Sequence, residues 1–416
     1  MRNRAIRNQI KARSEKTTGR IIVLTGARQT GKTTLARKIF GDYEYISIED
    51  PVLRPSYAAL SAKQWRSMYP KVILDEVQKE PSLIESIKSV YDQWEEPRYV
   101  LLGSSQLLLL QKVKESLAGR VSIYEIFPLT LPELSTHSWD DEVKKSLFIQ
   151  LLLEEDMSEI LPSFLLHPAH TEKQAAWNHY QKFGGFPALC DESLNDEERY
   201  SWLSNYVRTY LERDVRDLAN FRELEPFIKL QKLFAANTSS LFNASNSGKR
   251  IGLSSKTAQK YLQYFEMSYQ LLVLPAWSGN LNKRLSKMSK IHFMDFGVLQ
   301  AVLQKKGGMT GNEFESALVT EMYKQMKYYD PRAEMFHLRT HDGKEVDLLI
   351  EVEDGFYAFE IKQSEKVTES DARHLFDLEK LLNKPLKKSF VLSADLRTQY
   401  FNDGRIVAVH FAMFLG

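Results

Sequence analysis

The sequence has very little cysteine: Cys190 is the only one among 416 residues. A single thiol excludes an intramolecular disulfide and any zinc site built from several cysteines. Such cysteine usage is typical of proteins in a reducing compartment, so we expect the chain to work in the cytoplasm. Cys190 itself is predicted to be a small packing residue.

Long hydrophobic runs and a strong net charge are also missing. Apolar runs such as Leu271–Leu274 are too short to cross a bilayer, which predicts no membrane partner. The basic residues 1–16 are not followed by the apolar stretch of a secretory signal. The formal net charge is only +2, so any contact with nucleic acid must come from a local basic patch. At this length, with 43% hydrophobic and 26% charged residues, we expect a globular protein of two to four domains.

A glycine-rich loop follows the first predicted strand. Residues 26–33 read GARQTGKT and lie between the apolar segment Ile21–Thr25 and a predicted helix over residues 34–40. This order is typical of a phosphate-binding loop, whose backbone N–H groups surround a polyphosphate. Lys32 would then reach the β- and γ-phosphates, and the Thr33 hydroxyl would ligate Mg²⁺. A plain glycine turn is the alternative. The predicted nucleotide-binding residues are Gly26, Ala27, Arg28, Gln29, Thr30, Gly31, Lys32, Thr33 and Thr34.

Two adjacent acids end the predicted strand over residues 72–74. Adjacent strand residues point to opposite faces, so Asp75 and Glu76 are expected to have different roles. We assign Asp75 to the Mg²⁺ shell and Glu76 to the base that orients the attacking water. Two solvated acids with no such role are the alternative.

Two further polar residues are candidates for the same site. Ser104 follows the predicted strand over residues 99–102 and could contact the γ-phosphate or the water, although a turn or helix cap fits it as well. Arg120 precedes the predicted strand over residues 121–126. It could reach a neighbouring subunit as an arginine finger, which would require a homo-oligomer, or it could be a surface arginine.

The order of these motifs resembles a family of prokaryotic AAA-type ATPases. The resemblance rests on the loop at 26–34, ILDEVQK at 73–79, GSS at 103–105, AGR at 118–120 and FPL at 127–129, and on GGFP at 184–187. It implies an α/β fold with a parallel-sheet, P-loop AAA-type core, the cofactors ATP and Mg²⁺, and ATP hydrolysis. The family usually carries a poorly characterised carboxy-terminal region, called domain of unknown function 4143, and this chain is similar there too.

We predict four domains on this basis. They are an ATPase core at 1–135, a helical insert and lid at 136–218, a winged-helix domain at 219–305, and a restriction-endonuclease-like α/β domain at 306–416. In the winged-helix domain, helices are expected at 226–234 and, after the cap Ser254, at 254–262.

A basic segment is predicted to form a hairpin loop of the winged-helix domain. Residues 280–290 lie between strand-like segments at 271–274 and 291–294 and contain four cations and no acid. Uncompensated charges in such a loop would contact DNA phosphates. A lid, a protein-docking surface or a merely solvated loop are the alternatives. The four cations are Lys283, Arg284, Lys287 and Lys290.

A second group of charged residues lies near the carboxy terminus, in a predicted hairpin. If Asp354 and Gly355 form its turn, Asp347 pairs with Lys362, and Glu360 lies on the same face. Two carboxylates that hold Mg²⁺ and a lysine that orients water or stabilises the phosphate suit metal-assisted phosphodiester cleavage. A salt-bridged hairpin without catalysis is the alternative.

These positions resemble the PD-(D/E)xK nuclease signature. Asp347 and the ExK motif at 360–362 match it, Glu315 on a predicted helix over 314–326 matches its helical acid, and valine replaces the usual proline before Asp347. The histidines in apolar strand-like contexts are interpreted as buried structural residues. They are His292, His337 and His410.

Two functions remain open at this point. The favoured hypothesis is a cytoplasmic AAA-type ATPase that acts on nucleic acid, with DNA as the expected partner and ATP turnover controlling access to Asp347. The alternative is a nucleotide-controlled protein-interaction switch whose nuclease-like domain is inactive.

Overall fold

The computed structural model describes residues 1–103, 113, 115–155, 161–211 and 224–416. Among these residues, none of the helices combines the length and apolar character needed to cross a membrane.

A five-stranded parallel sheet forms the amino-terminal part of the molecule. Its strand order is β2-β3-β4-β1-β5, and every neighbouring pair is parallel. The strand β1 is buried along its whole length, as expected when helices cover both faces of a parallel sheet. The predicted parallel α/β core is therefore confirmed. The strands are β1 (Ile21–Thr25), β2 (Glu44–Ser47), β3 (Lys71–Asp75), β4 (Arg98–Leu102) and β5 (Val121–Glu125), and the helices are Arg7–Ser14, Lys32–Ile39, Arg54–Ala58, Ala62–Met68, Ser82–Gln93 and Leu131–Leu134.

A helical region follows and is fixed to the next part of the chain by a glycine pair. Gly184 has φ 74°, and a Cβ on it would lie 2.1 Å from the Asp295 carboxylate. Gly185 N–H donates to that carboxylate at 2.8 Å. The GGFP segment is thus a contact point between the helical region and the helix that begins after Asp295. The helices here are Leu147–Leu152, His170–Phe183 and Asp196–Tyr206, continued by a π-helical turn at Val207–Leu211.

A small antiparallel sheet and five helices occupy residues 225–303. The sheet order is β6-β8-β7, and Ser254 caps a helix by accepting from Thr257 N–H at 3.1 Å. The strands are β6 (Ser240–Leu241), β7 (Leu271–Leu274) and β8 (Lys290–Phe293), and the helices are Glu225–Ala236, Ala244–Ile251, Ser255–Met267, Leu281–Ser286 and Phe296–Leu303. The strands expected on either side of 280–290 do pair as the antiparallel hairpin β7–β8. The connection between them contains a helix, however, and Lys290 belongs to β8 and not to the loop.

The carboxy-terminal sheet has six strands and mixed pairing. Its order is β13-β14-β12-β11-β10-β9, with β11, β12 and β14 parallel to one another and the other neighbours antiparallel. The strands are β9 (Glu334–Arg339), β10 (Glu345–Val352), β11 (Gly355–Lys362), β12 (Leu386–Ser393), β13 (Gln399–Phe401) and β14 (Ile406–His410), and the helices are Gly311–Tyr329 and Phe411–Leu415.

The hairpin turn in this sheet lies one residue earlier than predicted. Val352 pairs with Gly355, so the turn is formed by Glu353 and Asp354. Gly355 is needed for close packing and not for the turn, because a Cβ there would lie 2.7 Å from the Pro385 carbonyl oxygen. The expected pairing of Asp347 with Lys362 is therefore wrong. The shift changes the register by two residues, which leaves the faces unchanged.

The long helix Gly311–Tyr329 connects the carboxy-terminal sheet with the amino-terminal core. Near its end, the Tyr328 hydroxyl accepts from Phe127 N–H at 3.0 Å. About two turns earlier, the Glu321 carboxylate accepts from Leu131 N–H at 2.8 Å. Most of the helix is buried, so it lies between the two sheets as part of one continuous interior.

Candidate functional site

The glycine-rich loop has the backbone shape of a phosphate-binding loop. Gly26 and Gly31 have φ 144° and φ 88°, values that residues other than glycine rarely adopt. A Cβ on Gly26 would also lie 2.1 Å from the Ile126 carbonyl oxygen. Gly31 is the last residue before the helix Lys32–Ile39. The positive end of that helix therefore faces the loop, as an anion site requires.

Side chains hold the loop in this shape. The Lys32 ammonium is buried and donates to the Gly26 and Ala27 carbonyl oxygens at 2.9 and 2.8 Å. The Thr30 hydroxyl donates to Ala27 at 2.9 Å. Within the loop, Gln29 has φ 64°, and the Arg28 carbonyl oxygen accepts from the Tyr206 hydroxyl at 3.3 Å.

Thr33 and Asp75 meet at the end of β3. The Thr33 hydroxyl donates to one Asp75 carboxylate oxygen at 2.7 Å, and the Tyr45 hydroxyl donates to the same oxygen at 2.8 Å. A hydroxyl and a carboxylate in contact are suitable oxygen ligands for Mg²⁺. Tyr45 was not predicted from the sequence. Burial and its bond to Asp75 raise the pKa of Tyr45 to about 12, so it remains a donor at neutral pH.

Glu76 lies directly after the end of β3 and has an unusual backbone conformation. Its φ of 56° lies in the left-handed region, which costs a residue other than glycine about 1 kcal/mol. Its carboxylate accepts from the Gln78 side-chain amide. Since β3 ends at Asp75, strand alternation does not apply to Glu76, and the different roles of the two acids stay a prediction.

Arg120 lies at the amino-terminal end of the strands, whereas the loop lies at their carboxy-terminal end. It precedes β5, which runs parallel to β1 with Val121 opposite Ile21. A five-residue strand spans roughly 16 Å, so Arg120 cannot serve the loop of its own chain. Its guanidinium forms an ion pair with Asp92 at 2.7 Å. Ser104 lies outside the described residues.

A cavity of about 640 Å³ adjoins the loop. Thr30, Gly31 and Thr34 form one wall, and Arg2 and Pro187 belong to the remainder. Small-molecule sites typically have this volume, so there is room for a nucleoside beside the phosphate-binding residues.

The loop is also connected to distant parts of the chain through Arg4. Its buried guanidinium donates to the Thr30 carbonyl at 3.0 Å and to the Tyr328 hydroxyl at 2.6 Å, and it pairs with Glu133 at 3.1 Å. No local motif marks Arg4 as a loop contact, because its partners are 26 to 324 residues away.

The carboxy-terminal site does bring Asp347, Glu360 and Lys362 together. The Lys362 ammonium lies 2.7 Å from Glu360 and 3.9 Å from Asp347. Asp347 also accepts from Ile361 N–H at 2.8 Å. The predicted convergence therefore holds although the predicted pairing was wrong.

Lys290 joins this site from β8. Its ammonium lies 3.0 Å from Glu315, 2.8 Å from Glu345 and 3.8 Å from Asp347. Its side chain is only 3% exposed. We refer to Glu315, Glu345, Asp347 and Glu360 as the carboxylate cluster.

The expectation of four uncompensated cations is thus wrong for two of them. Lys290 is buried among carboxylates, and Arg284 pairs with Glu351 at 3.0 Å. Lys287 is exposed and donates to the Arg339 carbonyl at 3.4 Å. The side chain of Lys283 lies outside the described residues. The sequence showed only the absence of acids within the segment, whereas the compensating acids come from other strands.

Burial changes the protonation of the cluster. Burial and the nearby Asp347 charge raise the pKa of Glu360 to about 8 and that of Glu315 to about 7. Burial lowers the pKa of Lys290, but the surrounding carboxylates outweigh it and the net shift is upward. Within the described ranges, no three His, Cys, Asp or Glu side chains are arranged to hold a metal ion. The assignment of Mg²⁺ to Asp347 and Glu360 stays a prediction.

The three histidines are buried, as expected. Burial lowers the pKa of His337 and of His410 to about 4, and places that of His292 well below its ordinary value. All three are therefore neutral at physiological pH. Cys190 is half-buried beside His179, with 3.7 Å between sulfur and Nε2.

Three family models match consecutive parts of the chain. The model described as AAA domain matches residues 18–135. The chain contains an AAA-type P-loop domain. Two models described as domains of unknown function follow this AAA domain, DUF8612 over 174–308 and DUF4143 over 310–414. The DUF8612 match extends across the boundary expected at 218, so that boundary stays a prediction.

Similar proteins are known from bacteria and archaea. The uncharacterized protein Rv2008c of Mycobacterium tuberculosis is 25% identical over 358 residues, covering 83% of this chain and 70% of its own length. The uncharacterized protein MJ1544 of Methanocaldococcus jannaschii is 25% identical over 296 residues, covering 66% and 60%. Among solved structures, the Walker-type ATPase PABY2304 of Pyrococcus abyssi aligns with a TM-score of 0.45 and 12% identity, over 71% of this chain and 95% of that one.

Proposed function

We propose that the AAA domain binds and hydrolyses ATP with Mg²⁺. The observation that carries this proposal is the 2.7 Å contact between Thr33 and Asp75 beside the loop. Thr33 and Asp75 would hold Mg²⁺, which when bound neutralises charge on the phosphates. Lys32 would contact the β- and γ-phosphates, and Glu76 would orient the attacking water. The nucleoside would occupy the cavity beside Thr34.

Arg120 acts only between subunits in this proposal. Arg120 lies at the amino-terminal end of the strands and cannot reach the loop of its own chain. The Arg120 of a neighbouring chain could reach that loop. A homo-oligomer is therefore part of the proposal.

The test is ATP turnover by the full chain with matched lysine variants. Lys32→Ala is expected to reduce kcat/KM at least about 100-fold, because the phosphates lose their charged contact. Lys38→Ala removes an exposed lysine from the same helix and should leave turnover unchanged. Equal turnover in the two variants would refute the proposal.

For the carboxy-terminal half, one candidate function is action on DNA. Residues 225–274 follow the order helix, strand, helix, helix, strand of a winged-helix domain, and a short helix, Leu281–Ser286, precedes the last strand, β8. The third helix begins after the serine cap Ser254. Asp347, Glu360 and Lys362 converge as a PD-(D/E)xK site requires. DNA that stimulates ATP turnover, and plasmid cleavage lost with Asp347→Ala, would support this function.

The second candidate is a nucleotide-controlled interaction switch with a catalytically silent carboxy-terminal domain. It is favoured by the ion pairs of Lys290 and Arg284 with acids of the same chain. These pairs neutralise two of the positive charges that contact with DNA would need. We favour this function. It predicts an ATP-dependent change of assembly state, seen by light scattering, without stimulation of turnover by DNA.

A further inference from the structure

We propose that Lys290 occupies the cation position of the carboxylate cluster and thereby keeps divalent metal ions out of it. The inference rests on the proposed likeness of this site to a metal-dependent nuclease, and it is independent of ATP hydrolysis. It gives a physical reason for a silent carboxy-terminal domain.

The position of the ammonium carries the inference. Lys290 Nζ lies within 4 Å of carboxylate oxygens from Glu315, Glu345 and Asp347. With the ammonium in place, these oxygens surround a lysine, and no three acids of the described residues are arranged to hold a metal ion. Two cations a few ångströms apart in a buried site repel each other strongly, because the effective dielectric constant there is about 20 or lower. A metal ion can enter only if the ammonium leaves.

The lysine side chain is enclosed, and only 3% of it is exposed to solvent. Its backbone is fixed inside β8, where Lys290 pairs with Leu274 on one side and Leu241 on the other. The carboxylates belong to the long helix and to β10. Lys290 thus joins the small sheet to the long helix and to the carboxy-terminal sheet. The Arg284–Glu351 ion pair at 3.0 Å is a second contact across the same boundary.

Glu360 provides an independent indication that the cluster is suited to a cation. It is 1% exposed, and its Oε1 has no hydrogen-bond donor among the described residues. His374 Nδ1 lies 3.7 Å from this oxygen, and the Lys362 ammonium contacts the other oxygen of Glu360 at 2.7 Å. A buried polar oxygen without a hydrogen-bond partner is costly, and a divalent ion that displaces the proton of Glu360 would satisfy it.

The test is a Mn²⁺ titration of the full chain without nucleotide, followed by electron paramagnetic resonance. The wild type should show no Mn²⁺ site that depends on Asp347. Lys290→Met should create one, with an affinity at least about 100-fold higher, since a buried unit charge is removed a few ångströms away. Adding Asp347→Asn to Lys290→Met should abolish that site. The matched control is Lys384→Met, which removes a lysine paired at 3.0 Å with Glu351 of β10 and should behave as wild type.

Three results would overturn the inference. The first is a wild-type Mn²⁺ site that Asp347→Asn removes. The second is a folded Lys290→Met variant, checked by circular dichroism, that gains no Mn²⁺ site. If Lys290→Met does not fold, Lys290→Gln removes the charge but keeps a hydrogen-bond donor beside the carboxylates, and it should also create the Mn²⁺ site; no gain in that variant is the third result. ATP turnover measured on each variant shows separately whether the proposed ATPase function holds.

Discussion

The phosphate-binding loop and the carboxylate cluster use the same residue types in opposite ways. Each combines carboxylates with lysine. At the loop, the Lys32 ammonium contacts backbone carbonyls, and Asp75 accepts from the hydroxyls of Thr33 and Tyr45. In the cluster, Lys290 and Lys362 bind the carboxylates directly. The difference teaches that carboxylates and lysines at a strand end do not by themselves define a metal site, because the identity of the lysine's partner decides what the acids can bind.

The variant with the largest expected effect on this comparison is Glu76→Gln. Loss of the base is expected to lower kcat about 100-fold or more, while binding of a fluorescent ATP analogue is retained. The control Glu95→Gln removes an exposed acid of the same domain and should leave kcat unchanged. A Glu76→Gln variant with normal kcat would show that the loop site works without this acid.

A buried lysine elsewhere tests the cost of breaking an internal ion pair. Lys324 and Glu321 lie 2.7 Å apart with side chains 0% and 2% exposed. Lys324→Met leaves Glu321 charged and buried, so the free energy of unfolding should fall by about 3 kcal/mol. Lys327→Met, on the same helix but 45% exposed, should change it by less than about 1 kcal/mol. Urea denaturation measures both, and equal effects would contradict the assignment.

A smaller effect is expected at the contact between the long helix and the AAA domain. Tyr328→Phe removes the hydroxyl that bonds Arg4 and Phe127 N–H. Leaving these buried groups without a partner should reduce the free energy of unfolding by about 2 kcal/mol. Tyr329→Phe, a half-buried neighbour, is the control. Identical urea midpoints for the two variants would argue against this contact.

The smallest expected effect is the change of stability with pH. Glu360 has a pKa of about 8 against an ordinary value of 4.5, so the folded state holds a proton that the unfolded state releases. Stability should therefore fall as pH rises from about 5 to 8. Glu360→Gln should flatten this decline in the thermal midpoint, whereas Glu379→Gln, an exposed acid of the same domain, should not. A steeper decline in Glu360→Gln would contradict the raised pKa.

The sequence was sufficient to predict those parts of the fold and of the site whose residues are neighbours along the chain. The strand, loop and helix around Gly26 and Lys32 are consecutive, and Asp75 follows a strand whose apolar run is easy to recognise. The turn at Asp354 was displaced by one residue because a glycine required for packing against Pro385 looks the same as one required by a turn. Lys290 was misplaced because its acids lie 25 to 57 positions further along the chain. Long-range burial of a lysine leaves no periodic signal.

Arg4 has a practical consequence for dissecting the molecule. A fragment limited to residues 18–135, the extent of the AAA match, would lack both Arg4 and the helix that carries Tyr328. The Thr30 carbonyl would lose its guanidinium donor, and the buried Phe127 and Leu131 would be exposed to water. An isolated fragment of that length should consequently aggregate more readily than the whole chain, and its nucleotide kinetics should not be taken as those of the intact protein.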